Sequence, residues 1–352
     1  MRDASIETLM RCHLHLGTAS HVLLRCGKPS TVRGFAELSR KAGRMEWHQW
    51  LPDNPHLQVK VTSKKSKLFH TDAIAQRIKE AIHNSLGTSQ PSTPESPIVP
   101  LVVRIHRDVM QISIDTSQTP LHQRGYRLET AKAPLREDIA FAMLLAGGCD
   151  PRHHQGILDP FCGSGTIAIE AAAMLARLPP GRLRPAPLQG TKLEDSSLWN
   201  QLVDVSMDPL DTLTDSTIKV HGSDRDAGAI DIAESNAARA GLSSLIEFSN
   251  VAMSASPWFE KQEAAPESIL VATNPPFGKR ISKGGSRRRS DDHLWPLYQT
   301  LGNVIQKFGH QKTVRAVLLS HDLRLARKTG LEELRVQFTT DHGGLKVSAL
   351  LA

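Results

Sequence analysis

Two stretches of this sequence, far apart along the chain, hold residue types that could do chemistry. The first is GILDPFCGSGTIAIEAAA, from Gly156 to Ala173. Here the apolar pair Ile157-Leu158 ends on an acid, Asp159, and a Gly163-Ser164-Gly165 turn leads into Thr166 and a run of Ala and Ile. That order predicts a short buried strand, a tight turn and a buried helix. Glycine lacks a Cβ and tolerates φ > 0, so backbone N–H groups at the helix N-terminus can approach a ligand closely. The second stretch is Asn274-Pro275-Pro276-Phe277, which follows the apolar run ILVAT. It offers an amide oxygen and a backbone carbonyl as acceptors, two prolines that stiffen the turn and donate no N–H, and an aromatic face.

The Gly-rich turn admits three readings. A phosphate-binding P-loop needs Lys and Ser/Thr after its second glycine, but Thr166-Ile167 stands there, so that reading fails. A dinucleotide fingerprint GxGxxG lacks its third glycine, with the tolerated substitute Ala168 in that place. A plain strand–helix turn would also use these residues. The residues downstream bear on the choice. The run IKVHGS ends on Asp224, and an acid at the end of the second strand, one βαβ unit after a Gly turn, is where an adenosine ribose diol is gripped. Asp224 or Asp226 would also serve as the N-cap of the helix expected over Ala227–Ala240.

DPFCGSGTIAIEAA and TNPPFGKRI (273–281), together with APLREDIAFAML (133–144) and GSDRDAGAIDIAESNAARAG (222–241), resemble class I S-adenosylmethionine-dependent RNA methyltransferases. The resemblance is to the branch that carries an N-terminal THUMP domain and methylates N2 of guanine, and it runs from about Leu57 onward. It implies an α/β fold with a Rossmann-like seven-stranded sheet over 119–352 and a smaller α/β THUMP-like domain over 1–118, which begins with part of a ferredoxin-like segment whose opening strand is missing. It also implies S-adenosylmethionine as cofactor, held by Asp159, Phe161, Cys162, Gly163, Ser164, Gly165, Thr166, Asp224, Arg225, Asn250 and Asn274. Asn250 departs from the family pattern, where an Asp accepts from the adenine amino group; an Asn carbonyl oxygen can accept too. Asn274, Pro275 and Phe277 are the expected catalytic residues. Two acceptors would orient an exocyclic amine, and the ring would stack on a flipped base.

The elements around these motifs follow from period and punctuation. LQVKVTS alternates as a strand, and the helix after it repeats Ile74, Ile78 and Ile82 as a buried stripe with Thr71 or Asp72 as N-cap. VVRIHRDVMQISID predicts a hairpin turning near Arg107-Asp108. The Pro/Ser-rich insert 87–100 predicts disorder. A helix over Pro134–Ala146 precedes the first sheet strand. LPPGRLRPAPLQGTKLEDSSLW reads as a loop of the catalytic domain whose Arg182 and Arg184, with Arg177 just ahead of it, would line an RNA path. Strands over 218–223, 245–250 and 269–273 and the later TVRAVLLS, LRVQFT and GLKVSALLA complete the sheet, its last strand antiparallel by resemblance.

Composition narrows the partners. Lys and Arg total 43 against 36 Asp and Glu, a formal charge of +7, which favours a polyanion. Lys60, Lys64, Lys65 and Lys67, with Lys279, Arg280, Arg287, Arg288 and Arg289 beside the Asn-Pro-Pro-Phe turn, are the expected RNA contacts. Cys12, Cys26, Cys149 and Cys162 are scattered without a CxxC pair, and the histidines form no HExxH, so no metal is expected and the cysteines read as reduced thiols. No run reaches the ~18 apolar residues of a membrane span, and Asp3 and Glu7 argue against a transit peptide. The expected protein is a cytoplasmic monomer, or an organellar one in a eukaryote.

The leading expectation is methylation of guanine N2 in large-subunit ribosomal RNA, with transfer RNA as the alternative substrate. Amino methylation of DNA adenine or protein glutamine shares Asn-Pro-Pro-Phe but leaves the THUMP-like half unexplained. A non-catalytic RNA-binding or ribosome-assembly factor would have no need of intact motifs. A nicotinamide oxidoreductase would bind its own dinucleotide instead of S-adenosylmethionine.

Overall fold

A computed structural model describes residues 4–87, 97–127, 134–150, 152–207, 219–260, 265–277 and 291–352. The chain divides into two compact units, Met1–Leu121 with Arg184–Val205, and His122–Leu183 with Ser206–Ala352.

The N-terminal unit is built on a sheet of β1 (Leu23–Arg25), β2 (Ser30–Thr31), β3 (His56–Lys64), β4 (Ile98–His106) and β5 (Val109–Asp115). Their order is β1-β5-β4-β3, with β2 paired to β5. Helices α1 (Ile6–His15), α2 (Phe35–Gly43) and α3 (Thr71–Leu86) accompany it. The α3 stripe Ile74, Ile78 and Ile82 is fully buried in one cluster with Leu101, Val103 and Ile105 of β4. Alternating apolar residues of the strands meet the helix from one side, so period 2 and period 3.6 converge on one core. The helix is not capped as expected: the N-cap is His70, which makes no side-chain cap bond, and Thr71 and Asp72 lie inside the first turn. The β4–β5 hairpin does turn at Arg107-Asp108, with φ of 51° and 61°. Positive φ at both central residues matches the right-handed strand twist.

Two sequence expectations change here. The insert 87–100 ends early, because Ile98–Pro100 already belong to β4, paired in register with His56–Gln58; residues 88–96 lie outside the described residues. The segment 184–205, expected as a loop, packs with residues 1–121 in the first compact unit. Its Ala186, Trp199 and Leu202 join Met10 and Leu14 in a buried cluster. Arg184 is 7% exposed and donates to the carbonyls of Ser117, Thr119 and Pro120. Arg182, in the other unit, is 9% exposed and donates to Ala240 O at 2.8 Å. Both guanidinium groups satisfy backbone carbonyls inside the protein, so neither lines an RNA path.

The second unit is a seven-stranded sheet of β6 (Gly156–Asp159), β7 (Lys219–Asp224), β8 (Ile246–Asn250), β9 (Ser268–Thr273), β10 (Thr313–Ser320), β11 (Arg335–His342) and β12 (Leu345–Leu351). The order is β11-β12-β10-β9-β6-β7-β8, and β12 runs antiparallel to both its neighbours. This is the class I methyltransferase sheet. The inner parallel strands are covered on both faces, so β9 and β10 read as unbroken apolar runs, with Leu270, Val271, Ala272, Val317 and Leu318 fully buried. Helices α4 (Glu137–Gly147), α5 (Thr166–Leu175), α7 (Ala227–Arg239) and α9 (Trp295–Gly309) accompany it, and α6 (Ser196–Met207), α8 (Pro257–Glu260) and α10 (Leu323–Arg327) are the remaining α-helices among the described residues. The strand order reverses between β6 and β9, and open α/β sheets bind ligands outside the carboxyl ends of strands at such a switch point.

Candidate active site

Asp159 ends β6 at the switch point and is 2% exposed. Its carboxylate accepts from the Thr273 hydroxyl at 2.7 Å and from Phe161 N at 3.2 Å. Burial pushes the carboxyl up to about 7 and the charge of Asp224 adds to this, while those two bonds pull the other way.

The Gly-rich turn is tied to the neighbouring strand. Cys162 N donates to Ser223 O at 3.0 Å, and Gly163 N donates to Asp224 Oδ2 at 3.0 Å. Gly163 and Gly165 have φ of 51° and 80°, and a Cβ on Gly165 would come within 3.0 Å of Ala233 Cβ and 3.1 Å of the Phe248 ring. Glycine at 165 is therefore required by backbone conformation and by space. Ser164 is buried, and its carbonyl accepts from the Asn236 side chain at 3.1 Å. Burial raises the Cys162 thiol well above its ordinary value, so it stays protonated and is a packing residue at this edge.

Asp224 closes β7 half-buried, with Oδ1 accepting from Asp226 N at 3.0 Å. The N-cap of α7 is Asp226, whose side chain accepts from Gly228 N, so Asp224 is not used as the cap. Arg225 is exposed. Asn250 ends β8 opposite Asp224 in register and donates through Nδ2 to Asp224 O at 3.1 Å. With the nitrogen engaged, the Asn250 oxygen is the group that can accept.

Asn274 follows β9 directly. Its Oδ1 is buried and has no hydrogen-bond partner among the described residues. An acceptor left unpaired in that way costs about 1–3 kcal/mol, which a donor on a ligand would recover. Pro275 is buried, Pro276 is exposed, and Phe277 is half-buried with its ring 5.3 Å from that of His321. Asp159 and Asn274 thus lie at adjacent strand ends, joined through Thr273.

Several residues beneath this edge were not anticipated from sequence. Arg127 donates through Nη2 to the Thr166 hydroxyl at 2.6 Å and to Leu135 O at 2.8 Å, and its Nε lies 3.4 Å from Glu137 Oε1. Burial raises Glu137 to about 7, and the Arg127 charge opposes that rise. Glu170, buried in α5, accepts from the Tyr126 hydroxyl at 3.1 Å and pairs with Arg124 at 3.5 Å. The acidic start of α4 and the lone Glu170 in an apolar helix were visible signals, but their partners lie far off in sequence. His321, just beyond β10, had no signal of its own.

Lys60 and Lys64 stand on β3, Lys65 and Lys67 in the loop after it, and all four are exposed. Lys279, Arg280, Arg287, Arg288 and Arg289 lie outside the described residues. Among the described residues no group of three or more His, Cys, Asp or Glu could hold a metal ion, the four cysteines are unpaired with one another, and no helix is long and apolar enough to cross a membrane.

Comparison with known proteins adds the following. Residues 32–115 match the THUMP domain, and residues 124–345 match the RMKL-like methyltransferase domain. The chain is 34% identical over 307 residues to a ribosomal RNA large subunit methyltransferase K/L of Legionella pneumophila, a match covering 85% of this chain and 41% of that protein. The chain therefore spans about two fifths of the length of that relative. A crystal structure of SMU.472 complexed with SAH superposes with a TM-score of 0.83 at 26% identity, covering 99% of this chain and 88% of the other. A predicted N6-adenine-specific DNA methylase from Listeria monocytogenes gives 0.78 at 26% identity, covering 98% and 86%.

Proposed function

This chain belongs to the RMKL-like methyltransferase family and carries a THUMP domain, and on that premise we propose that it transfers a methyl group from S-adenosylmethionine to N2 of a guanine in large-subunit ribosomal RNA. The observation that carries the catalytic reading is the buried Oδ1 of Asn274 at the switch-point edge, without a hydrogen-bond partner among the described residues.

The residues at that edge fit the cofactor. Asp224 offers a carboxylate to a ribose diol, the Cβ-free Gly163–Gly165 turn gives close backbone approach, and the Asn250 oxygen can accept from an adenine amino group. Asp159, Phe161, Cys162, Ser164, Thr166 and Arg225 would surround it. Bound there, S-adenosylmethionine would supply a methyl carbon made strongly electrophilic by its sulfonium.

The acceptor is the harder partner, because the lone pair of a guanine exocyclic amine is delocalised into the ring. No strong base is needed; orientation is. The Asn274 oxygen and the Pro275 carbonyl would accept hydrogen bonds from the two amino hydrogens and aim the lone pair at the methyl carbon. As the N–C bond forms the S–CH3 bond breaks, S-adenosylhomocysteine leaves, and the surplus proton on nitrogen passes to water. The prolines hold that turn rigid and bring no competing donor. Phe277, backed by His321, would receive the flipped base by stacking, worth ~1–3 kcal/mol. The cations of 279–289 would contact phosphate.

The THUMP match supports RNA over DNA, and the name of the Legionella relative supports ribosomal RNA. The Listeria neighbour, named for DNA adenine, favours the second reading. The test is to offer the full chain, with labelled methyl donor, protein-free large-subunit RNA, transfer RNA and duplex DNA in parallel. Label in ribosomal RNA alone supports the proposal. Label only in transfer RNA or only in DNA replaces the substrate. Label in none, with cofactor bound, favours a non-catalytic factor.

A further inference from the structure

Helix α5 begins without a side-chain cap: its N-cap is Gly165, with φ of 80° and no side-chain bond to the first turn. The first N–H groups of a helix have no partner inside it and carry a partial positive charge. A cation nevertheless reaches this turn from outside the helix. Arg127 donates through Nη2 to the hydroxyl of Thr166, the first residue of α5, at 2.6 Å, and to Leu135 O at 2.8 Å. A cation opposes the helix dipole at this end, and burial adds a desolvation cost. An anion brought to the same place would offset both.

Arg127 is held firmly. The Tyr126 hydroxyl donates to Glu170 Oε1 at 3.1 Å, Tyr126 O accepts from Arg239 Nε at 2.8 Å, and Arg124 pairs with Glu170 at 3.5 Å. These contacts fix the backbone on which Arg127 stands, and a guanidinium fixed in advance loses little freedom when it binds. The Arg127 side chain is 10% exposed, and its Nε is buried with no hydrogen-bond partner among the described residues. Nη1 makes no hydrogen bond among them either. Glu137 lies 3.4 Å from Nε, but burial raises that carboxyl to about 7, so near neutral pH it compensates the guanidinium only in part.

The cofactor placement proposed above leaves one part of the molecule unassigned. Along the strand order β8, β7, β6 its adenine meets Asn250 and its ribose meets Asp224, and the next element is the end of β6 with the Gly-rich turn and the start of α5. The amino-acid tail, which ends in a carboxylate, would lie there. A carboxylate taken out of water needs charge and donors together, and a guanidinium supplies both in a planar fork.

We propose that Arg127 and the first turn of α5 bind the α-carboxylate of the cofactor's amino-acid tail, and that Arg127 thereby selects S-adenosylmethionine over adenosyl ligands that lack the carboxylate. The proposal rests on the reading of Asp224 as the ribose contact and adds the residue that recognises the other end of the cofactor.

The experiment measures by calorimetry the affinity of the full chain for S-adenosylhomocysteine and for decarboxylated S-adenosylhomocysteine, which differ by the carboxylate alone. The wild type should prefer the first by ~10-fold or more, the range of a charged hydrogen bond. Arg127→Gln should remove that preference by weakening S-adenosylhomocysteine, with the decarboxylated ligand bound as before to within about twofold. Arg127→Lys, which keeps the charge without the fork, should lose several-fold on S-adenosylhomocysteine only, and it carries the test if Arg127→Gln fails to fold. Folding of each variant is checked by Tm. A loss shared equally by the two ligands makes Arg127 a structural residue and overturns the proposal. Equal affinity of the wild type for both ligands, or an unchanged preference in both variants, overturns it as well. Asp224→Ala should weaken both ligands alike; if it changes neither, the ribose placement fails, and the Arg127 variants still report on the carboxylate separately.

Discussion

The Thr273 hydroxyl donates to the Asp159 carboxylate at 2.7 Å, and this bond joins the ends of β9 and β6 where the strand order reverses. It sets the two halves of the proposed site side by side, the cofactor edge on β6 and β7 and the acceptor turn after β9. It also buries a carboxyl, with consequences for pH.

Burial raises Asp159 to about 7 and Glu137 to about 7. In the unfolded chain such groups titrate near ~4. Between those values the folded protein keeps protons that the unfolded chain has released, so their contribution to stability is greatest below about pH 4 and is lost as pH rises through about 7. Asp159→Asn and Glu137→Gln should each flatten Tm against pH over that window. Identical pH dependence in both variants and the wild type contradicts the assignment.

Asp224→Ala should weaken S-adenosylmethionine binding by about 1–3 kcal/mol, the scale of a lost charged hydrogen bond. The variant also removes the acceptor for Gly163 N, so the turn itself loosens. Calorimetry on a variant shown to be folded measures this, and an unchanged affinity rules out the ribose contact.

Much of this edge was legible in the sequence. Gly163 and Gly165 mark the turn through their positive φ, Gly165 also through its lack of room for a Cβ beside Ala233, and the parallel strands announce themselves by unbroken apolar runs. What escaped was long-range. Arg184 stands in a proline-rich stretch and looks like a loop cation, yet carbonyls from Ser117 to Pro120 surround it. The Arg127–Thr166 bond joins positions 39 apart. His70 displaced Thr71 as N-cap, an offset of one residue that pattern alone does not resolve.

Arg184→Ala should therefore act on stability, by on the order of 2–3 kcal/mol for buried carbonyls left without their charged donor. Chemical denaturation gives this value. RNA affinity measured where the variant is folded should stay near wild type; a loss of RNA affinity with stability intact would return Arg184 to an RNA path.

Asn274→Ala should cut turnover ~10²-fold or more and change cofactor affinity far less, since orientation of the amine is lost while the expected cofactor contacts of Asp224, Asn250 and the Gly163–Gly165 turn remain. Phe277→Ala should raise KM for RNA more than it lowers kcat. Single-turnover kinetics separate the two, and normal turnover in Asn274→Ala removes the acceptor role.

The most direct test of the account is the identity of the methylated nucleoside. Large-subunit RNA freed of protein and methylated by the purified chain is digested to nucleosides and analysed by mass spectrometry against standards. A single new product, N2-methylguanosine, is expected, strongly reduced with Asn274→Ala. N6-methyladenosine, or methylation at any ring position of guanine, would contradict it.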